Sequence, residues 1–482
     1  MDILFVSTEL APYARVGGLA DVVASLSKTL RQLGHHVTLA LPRFPHFENA
    51  GLMVARRLTT LRFNLGGERF EATLHDGRLP SGVDITLIDI PGWFDRPGIY
   101  GDGDGDYFDN NIRFAVFNRA VLELLLSRVR AGTPFNIAHL HDWPAALTAL
   151  YGKRLGVQDL DECTKFVLTL HSLAFQGLSD ASMIDRLGIG RDLFHPDGVE
   201  FYGKINTLKA GIRFADALTT VSETYAREIM TSTQGRGLEG LLSVYRGKLS
   251  GIVNGIDYSV WNPAIDPYLP SRFDGQDLTN KKRCKAELLH EVGLAMRNDR
   301  PLLAFVGRLI DQKGVDILLD AMPEIMRSDV GVVIAGDGSG EYVDGFERAA
   351  KKWVGDIAFV QRPSDPLVHR VFAGSDILLV PSRYEPCGVV QRYAQRYGTV
   401  PVGHATGGLK DTIVDCDCAL ESGSGFLFDD ASVFGLVSGV QRAVAAYATK
   451  AWPRLVKRVM GLDLGWDRSA HRYVEIYRSL LR

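Results

Sequence analysis

Short apolar runs alternate with segments of helical period along most of the chain. Ile3–Val6 is a compact apolar run, followed by Leu19, Val22, Val23, Leu26, Leu30 and Leu33 at helical spacing. Gly34 closes that helix and His36–Leu41 supplies another strand, the opening of a βαβ unit. Alternation and glycine turns between Leu58 and Ile90 predict short strands and hairpins beside the main sheet. A helical pattern at Arg113–Leu126 leads into the strands Ile137–Asp142 and Phe166–Leu170. Ala217–Val221 then reads as a strand, and Ser222 caps a helix reaching Met230.

The pattern breaks at Asn262–Asn280, which holds three prolines and little periodicity. A helix at Lys281–Val292 restarts it. Strands Leu302–Val306, Val332–Ala335, Ile357–Val360 and Ile377–Val380 then alternate with helices Val315–Met326, Tyr342–Trp353 and Pro366–Ala373. The chain has 482 residues, more than one core comfortably holds, so two α/β domains are expected. Ser469–Leu481 is amphipathic, as a helix returning to the first domain would be. The boundaries read from this are 1–258 completed by about 456–482, and 259–455.

A hydrophobic fraction of 46% with 23% charged residues describes a globular chain. The formal net charge is -3 with no long basic block, which argues against a nucleic-acid surface. Cys163, Cys284, Cys387, Cys416 and Cys418 are scattered and odd in number, a pattern of a reducing compartment. The first residues read as a strand and not a signal peptide, and no apolar run reaches 18 residues. The expectations are a cytoplasmic location and no membrane span.

Candidate chemistry gathers in loops that follow strands, where open α/β sheets receive ligands. Arg15-Val-Gly17-Gly18 ends where the first helix begins, so its backbone suits close approach by a phosphate or sugar, although the dinucleotide GxGxxG spacing is missing. Strand exits deliver His139, His141 and Asp142, and then His171. Three histidines admit a zinc reading, but no compact ligand spacing supports it. The Asp- and Gly-rich run 102–109 imitates a calcium loop without its terminal glutamate, so no metal site is expected. Arg308 and Lys313 follow one strand and bring two cations suited to a diphosphate. Gly336–Gly340 reads as another loop fit for close approach by a nucleotide. Pro381–Gln391, PSRYEPCGVVQ, places Glu385 between a strand and a helix whose first amides, at Gly388, Val389 and Val390, suit a phosphate.

Together these stretches, with His139–Trp143, His171–Gly177, Thr220–Ile229, Gly251–Asp257 and Thr406–Asp411, strongly resemble the bacterial glycogen synthases and plant starch synthases that use a nucleotide sugar. The resemblance runs from Met1 to Leu481. It implies two Rossmann-like domains facing across a deep cleft, the glycosyltransferase type B fold, with the last helix crossing back to the N-terminal domain. It implies transfer of glucose from ADP-glucose to the nonreducing end of an α-1,4-glucan such as glycogen, with retention of configuration and without a cofactor.

On that likeness Arg308 and Lys313 stabilise the leaving diphosphate, helped by the Gly388–Val390 and Gly17-Gly18 amides. His171, Asp142 and Asn254 orient the donor glucose, and Glu385 stands near the transferring sugar. The family pattern has lysine at Arg15, asparagine at Ser172 and threonine at Val390. The alternatives are a retaining relative using another nucleotide sugar or a short maltooligosaccharide, and a weakly active or inactive glucan-binding relative. Oligomeric state and regulation do not follow from these residues.

Overall fold

The computed structural model describes residues 1–102, 105–156 and 158–482. They divide into two compact units, one of Met1–Val221, Ala226–Ile252 and Trp466–Arg482, the other of Ser222–Tyr225 and Val253–Gly465.

The first unit is built on β1 (Asp2–Val6), β2 (His36–Pro42), β3 (Val54–Leu65), β4 (Glu68–Arg78) and β5 (Asp84–Asp89). A small ribbon, β6 (Gly101–Asp102) and β7 (Gly105–Asp106), precedes β8 (Ile137–His141) and β9 (Lys165–Leu170). A three-stranded sheet of β10 (Leu178–Asp180), β11 (Glu200–Phe201) and β12 (Lys204–Asn206) comes before β13 (Ala217–Thr220) and β14 (Leu249–Gly251). The main sheet has the order β14-β13-β9-β8-β1-β2-β5-β4-β3. It is parallel from β14 through β5, and β4 and β3 complete it antiparallel.

The hairpin of residues 54–78 therefore lengthens the main sheet instead of lying beside it. The apolar run of β5 pairs with β2 and hands its other edge to β4. Strands β8 and β13 are buried along their whole length, so they read as continuous apolar runs and not as alternation.

The closing helix Asp467–Leu480 buries Ala470, Tyr473, Val474 and Tyr477, one face at the spacing i, i+3, i+4, i+7. Tyr477 Oη lies 2.7 Å from His139 Nδ1, tying the chain end to β8. This returning segment begins at Trp466 and not near 456. The preceding helix Trp452–Met460 buries Trp452, Leu455, Val456, Val459 and Met460 in the core of the second unit.

The second unit holds β15 (Leu302–Leu309), β16 (Gly331–Gly338), β17 (Ile357–Gln361), β18 (Ile377–Val380), β19 (Val400–His404) and β20 (Phe426–Phe428). All are parallel, in the order β17-β16-β15-β18-β19-β20. This is the doubly wound order 3-2-1-4-5-6, whose direction reverses between β15 and β18.

Residues 253–280 belong to this unit. Trp261 stacks between His369 and Tyr393 at centroid distances of 4.0 and 3.9 Å. Buried Asp266 is 2.7 Å from His369 Nδ1 and accepts a hydrogen bond from Tyr397 Oη. Lys281 Nζ donates to the carbonyls of Ala373, Ser375 and Tyr397 at 3.0, 2.9 and 2.9 Å. The unit thus starts at Val253 rather than at 259, because the proline-bearing stretch is latched down and does not link.

Candidate active site

In the first unit the sheet order turns at β1 and β8, and the loops leaving these strands carry the candidates. After β1, buried Glu9 accepts hydrogen bonds from the amides of Val16 and Gly17 at 2.9 and 2.8 Å through one oxygen. Its other oxygen accepts from Tyr100 Oη at 2.9 Å. The Gly17 amide expected at a ligand is therefore bound to Glu9, and Gly18 heads the helix Gly18–Gln32. A Cβ on Gly17 or Gly18 would meet nothing within 4 Å, so the backbone there lies open to approach. Arg15 pairs with Asp21 in the first turn of that helix at 3.1 Å.

Asp142 follows β8 with φ of 55°, a left-handed conformation that a non-glycine residue rarely holds. Its Oδ1 accepts from the His171 amide at 2.7 Å, and the Ser172 amide also donates to its carboxylate. Burial raises Asp142 to about 7, against the pull of those two amides, and the Glu9 charge adds to the rise.

Three imidazoles stand beside it. His139 lies between Tyr477 Oη and Thr169 Oγ1, at 2.7 and 2.6 Å. His141 Nδ1 meets His171 Nε2 at 3.0 Å. Burial lowers His139 and His171 to about 3 and drives His141 well below its ordinary value, so all three are neutral near pH 7. They bond to neighbours and to one another, and among the described residues no group of three His, Cys, Asp or Glu could hold a metal ion. In the acidic run Asp109 is committed to Arg96 by two bonds of 2.7 and 2.6 Å, while Gly103 and Asp104 lie outside the described residues.

In the second unit the loops after β15 and β18 interlock at the reversal of strand order. Gly314, at φ of 64°, heads the helix Val315–Ile325. A Cβ there would lie 2.0 Å from the Pro381 carbonyl oxygen, so only glycine permits the two loops to close up. Arg383 locks them with two bonds to Asp316, at 2.6 and 2.5 Å.

This places Lys313 Nζ 2.5 Å from Glu385 Oε2, which also accepts from Ser382 Oγ at 2.9 Å. The Glu385 carbonyl accepts from the Gly408 amide at 2.9 Å, bringing the TGGLKD loop against the same turn. Gly388 has φ of 64°, and the helix beyond it runs Val390–Arg396. The amides of Gly388, Val389 and Val390 donate to no acceptor among the described residues. Asn254 is 3% exposed, its backbone hydrogen-bonds to Cys387, and its Oδ1 is buried without a partner. Burial pushes the Cys387 thiol up to about 11, which makes it a poor nucleophile.

Arg308 stands apart from that contact. It is exposed at the end of β15, paired in register with Asp337, and its guanidinium makes no hydrogen bond or ion pair among the described residues. Gly336 and Gly338 are not in a loop at all, since β16 continues through them. A Cβ at either would lie 2.1 or 2.3 Å from the carbonyl oxygen of Gly307 or Leu309, so these glycines answer the close approach of the neighbouring strand.

Glu9 and Tyr100 escaped the sequence analysis, whereas Ser382 and Gly408 lie inside the stretches Pro381–Gln391 and Thr406–Asp411 that it singled out, without a role of their own. Glu9 had one available signal, a carboxylate three residues beyond the first buried strand.

The starch synthase catalytic domain family matches residues 2–244, and glycosyl transferases group 1 matches residues 290–450. Glycogen synthase 2 of Geobacter metallireducens is 38% identical over 481 residues, 99% of each chain. Glycogen synthase of Paramagnetospirillum magneticum is 41% identical over 488 aligned residues, 100% of this chain and 98% of that one. Among solved structures, the catalytic domain of Starch Synthase IV from Arabidopsis thaliana, bound to ADP and acarbose, superposes with a TM-score of 0.90 at 32% identity, covering 100% of this chain and 99% of its own. A sucrose-phosphate synthase of Thermosynechococcus elongatus, at 17% identity and a TM-score of 0.60 over 99% and 98% of the two chains, shares the fold alone.

Proposed function

This chain belongs to the glycogen and starch synthase family of glycosyltransferases, and from that premise we propose that it transfers glucose from ADP-glucose to the nonreducing end of an α-1,4-glucan with retention. The observation that carries the reading is the Lys313–Glu385 contact at the strand-order reversal of the second unit, beside the uncommitted Gly388–Val390 amides. The relative from Arabidopsis thaliana, bound to ADP and acarbose, supports an adenine nucleotide and a glucan-like acceptor.

In this reading Lys313 and Arg308 neutralise the diphosphate as its bond to the anomeric carbon breaks. Their help strengthens as charge grows on the leaving oxygen, so it lowers the barrier and does more than bind. The Gly388–Val390 backbone receives the same phosphates. Asn254 Oδ1, buried and unpaired, accepts from a donor-sugar hydroxyl. Glu385 takes a place near the anomeric centre, already oriented by Lys313 and Ser382. The acceptor 4-hydroxyl enters on the face the diphosphate leaves, and the leaving phosphate takes its proton, so no enzyme nucleophile is required.

Asp142 and His171 are assigned to orienting the donor glucose. Gly17 and Gly18 give the diphosphate an open backbone, with the Gly18 amide as the donor, because Gly17 is occupied by Glu9.

The changed positions have local explanations. Arg15 keeps the cation and spans to Asp21. The Ser172 hydroxyl accepts from the Ala174 amide at 3.2 Å and so closes its own turn. Val390 contributes its amide and no hydroxyl. Release of ADP from ADP-glucose, followed with and without glucan primer, tests the assignment. Glucan-dependent release is the expected result, and release indifferent to glucan contradicts transfer. Replacing Arg15→Lys is expected to change donor KM or kcat without unfolding the chain, and unchanged kinetics with both ADP-glucose and UDP-glucose would remove Arg15 from the donor site.

A further inference from the structure

We propose that His141 is a positioning residue that holds the His171 ring in the orientation and tautomer presenting an Nδ1–H donor to the ligand. Each of these two rings makes one hydrogen bond among the described residues, and it is the same bond, His141 Nδ1 to His171 Nε2 at 3.0 Å. His141 is fully buried, and its Nε2 has no partner. His171 is half-buried, and its Nδ1 makes no hydrogen bond among the described residues and keeps some solvent exposure.

The tautomers follow from where the unpaired atom lies. A proton on His141 Nε2 would bury an N–H without an acceptor, the rarer and costlier defect. A proton on Nδ1 is used in the bond to His171 and leaves only a lone pair unpaired at Nε2. His171 Nε2 then accepts, so the His171 proton sits on Nδ1. Burial keeps His141 neutral, and a His141 that donates from Nδ1 needs an unprotonated His171 Nε2, since two protonated nitrogens cannot share this bond.

The His141 ring is itself held. Its centroid is 4.4 Å from that of His139 and 5.0 Å from that of Phe5, and His139 is pinned by Tyr477 and Thr169. Asp142 meanwhile fixes the His171 backbone through its amide. Backbone and ring of His171 are thus set by consecutive residues at the exit of β8. A rigid N–H donor matches a sugar hydroxyl oxygen, and this part of the inference rests on the donor-glucose role proposed for His171.

The test uses the full chain as wild type, His141→Phe, His141→Asn, His171→Ala and the double variant His141→Phe/His171→Ala. Asn carries a side-chain N–H close to the Nδ1 position. His141→Phe is expected to lower kcat/KM for the nucleotide sugar about tenfold, roughly the effect of one hydrogen bond, with the glucan KM unchanged. His141→Asn should restore most of that loss, and in the His171→Ala background His141→Phe should cost nothing further. Additive losses, or a folded His141→Phe with wild-type kinetics, would overturn the assignment.

Nitrogen-15 spectra of the wild-type chain labelled at histidine decide the tautomers without any turnover. Protonated Nδ1 and unprotonated Nε2 on both His141 and His171 support the proposal, and a protonated Nε2 on His171 refutes it. If His141→Phe does not fold, or if the wild type transfers glucose from neither ADP-glucose nor UDP-glucose, the spectra still return one of these two answers.

Discussion

Lys313 and Glu385 are 72 positions apart, and two glycine-dependent turns bring them to 2.5 Å. The close pair leaves the lysine ammonium on a partly exposed loop while the carboxylate is nearly buried, so a diphosphate can draw on the lysine without stranding it. Lys313→Ala removes a cation aimed at developing charge, and kcat is expected to fall about 10²–10³-fold. Steady-state transfer with saturating donor measures it, and wild-type turnover would remove Lys313 from the leaving-group role. Gly314→Ala asks for a side chain at φ of 64° and 2.0 Å from the Pro381 oxygen. Loss of donor binding together with a lowered Tm is the expected outcome, and calorimetric titration with ADP checks it. The residues themselves were legible as types in loops, but Glu9 was not, because a buried carboxylate that binds its own loop looks in sequence like any surface acid.

The histidine row carries a pH signature with a definite sign. His139 and His171 titrate near 3 in the fold and near 6.5 once unfolded, so the unfolded chain takes up protons first and stability is lost as pH falls from about 6.5 towards 3. His141, lowered likewise, adds to this loss. Asp142, raised to about 7, works the other way, its folded form holding a proton between about 7 and the ordinary carboxylate value. Three groups outweigh one. The urea midpoint is expected to be lower at pH 5 than at pH 7.5, and His171→Gln should shrink the difference; equal midpoints in the wild type would contradict the neutral row.

At the scale of elements, the apolar runs of β8, β13, β15 and β18 were visible because a strand buried on both faces leaves a continuous hydrophobic signature. The first part of the Gly336–Gly340 stretch, Gly336–Gly338, is strand and not loop, since glycine signals close backbone approach without saying whether a ligand or a neighbouring strand makes it. The latch of residues 253–280 was equally hidden, because its prolines suggest a linker and its hold on the sheet comes from distant partners, His369, Tyr393 and Tyr397. Burial opposes ionisation of Asp266, yet bonds from His369 and Tyr397 outweigh it and keep this carboxylate below its ordinary value. Removing that charge in Asp266→Asn is expected to cost about 3 kcal/mol, since it breaks a buried network on one side only. Chemical denaturation reads the loss, and an unchanged midpoint would show that the latch contributes nothing.

For the whole molecule, the alternation of strand and helix announced two α/β domains, and the amphipathic end announced a helix with one face to bury. The strand order within each sheet was not legible, because adjacency of β1 to β8 or of β15 to β18 depends on contacts far apart in the chain. Nor was the return point, since the helices Trp452–Met460 and Asp467–Leu480 are both amphipathic and differ only in which core receives them. The measurement that bears most directly on the central reading supplies labelled ADP-glucose or UDP-glucose with a glucan primer and determines the linkage of the added residue. The expected result is α-1,4-linked glucose at the nonreducing ends, formed faster from ADP-glucose. Glucan that stays unlabelled with both donors, or a different linkage, would contradict it.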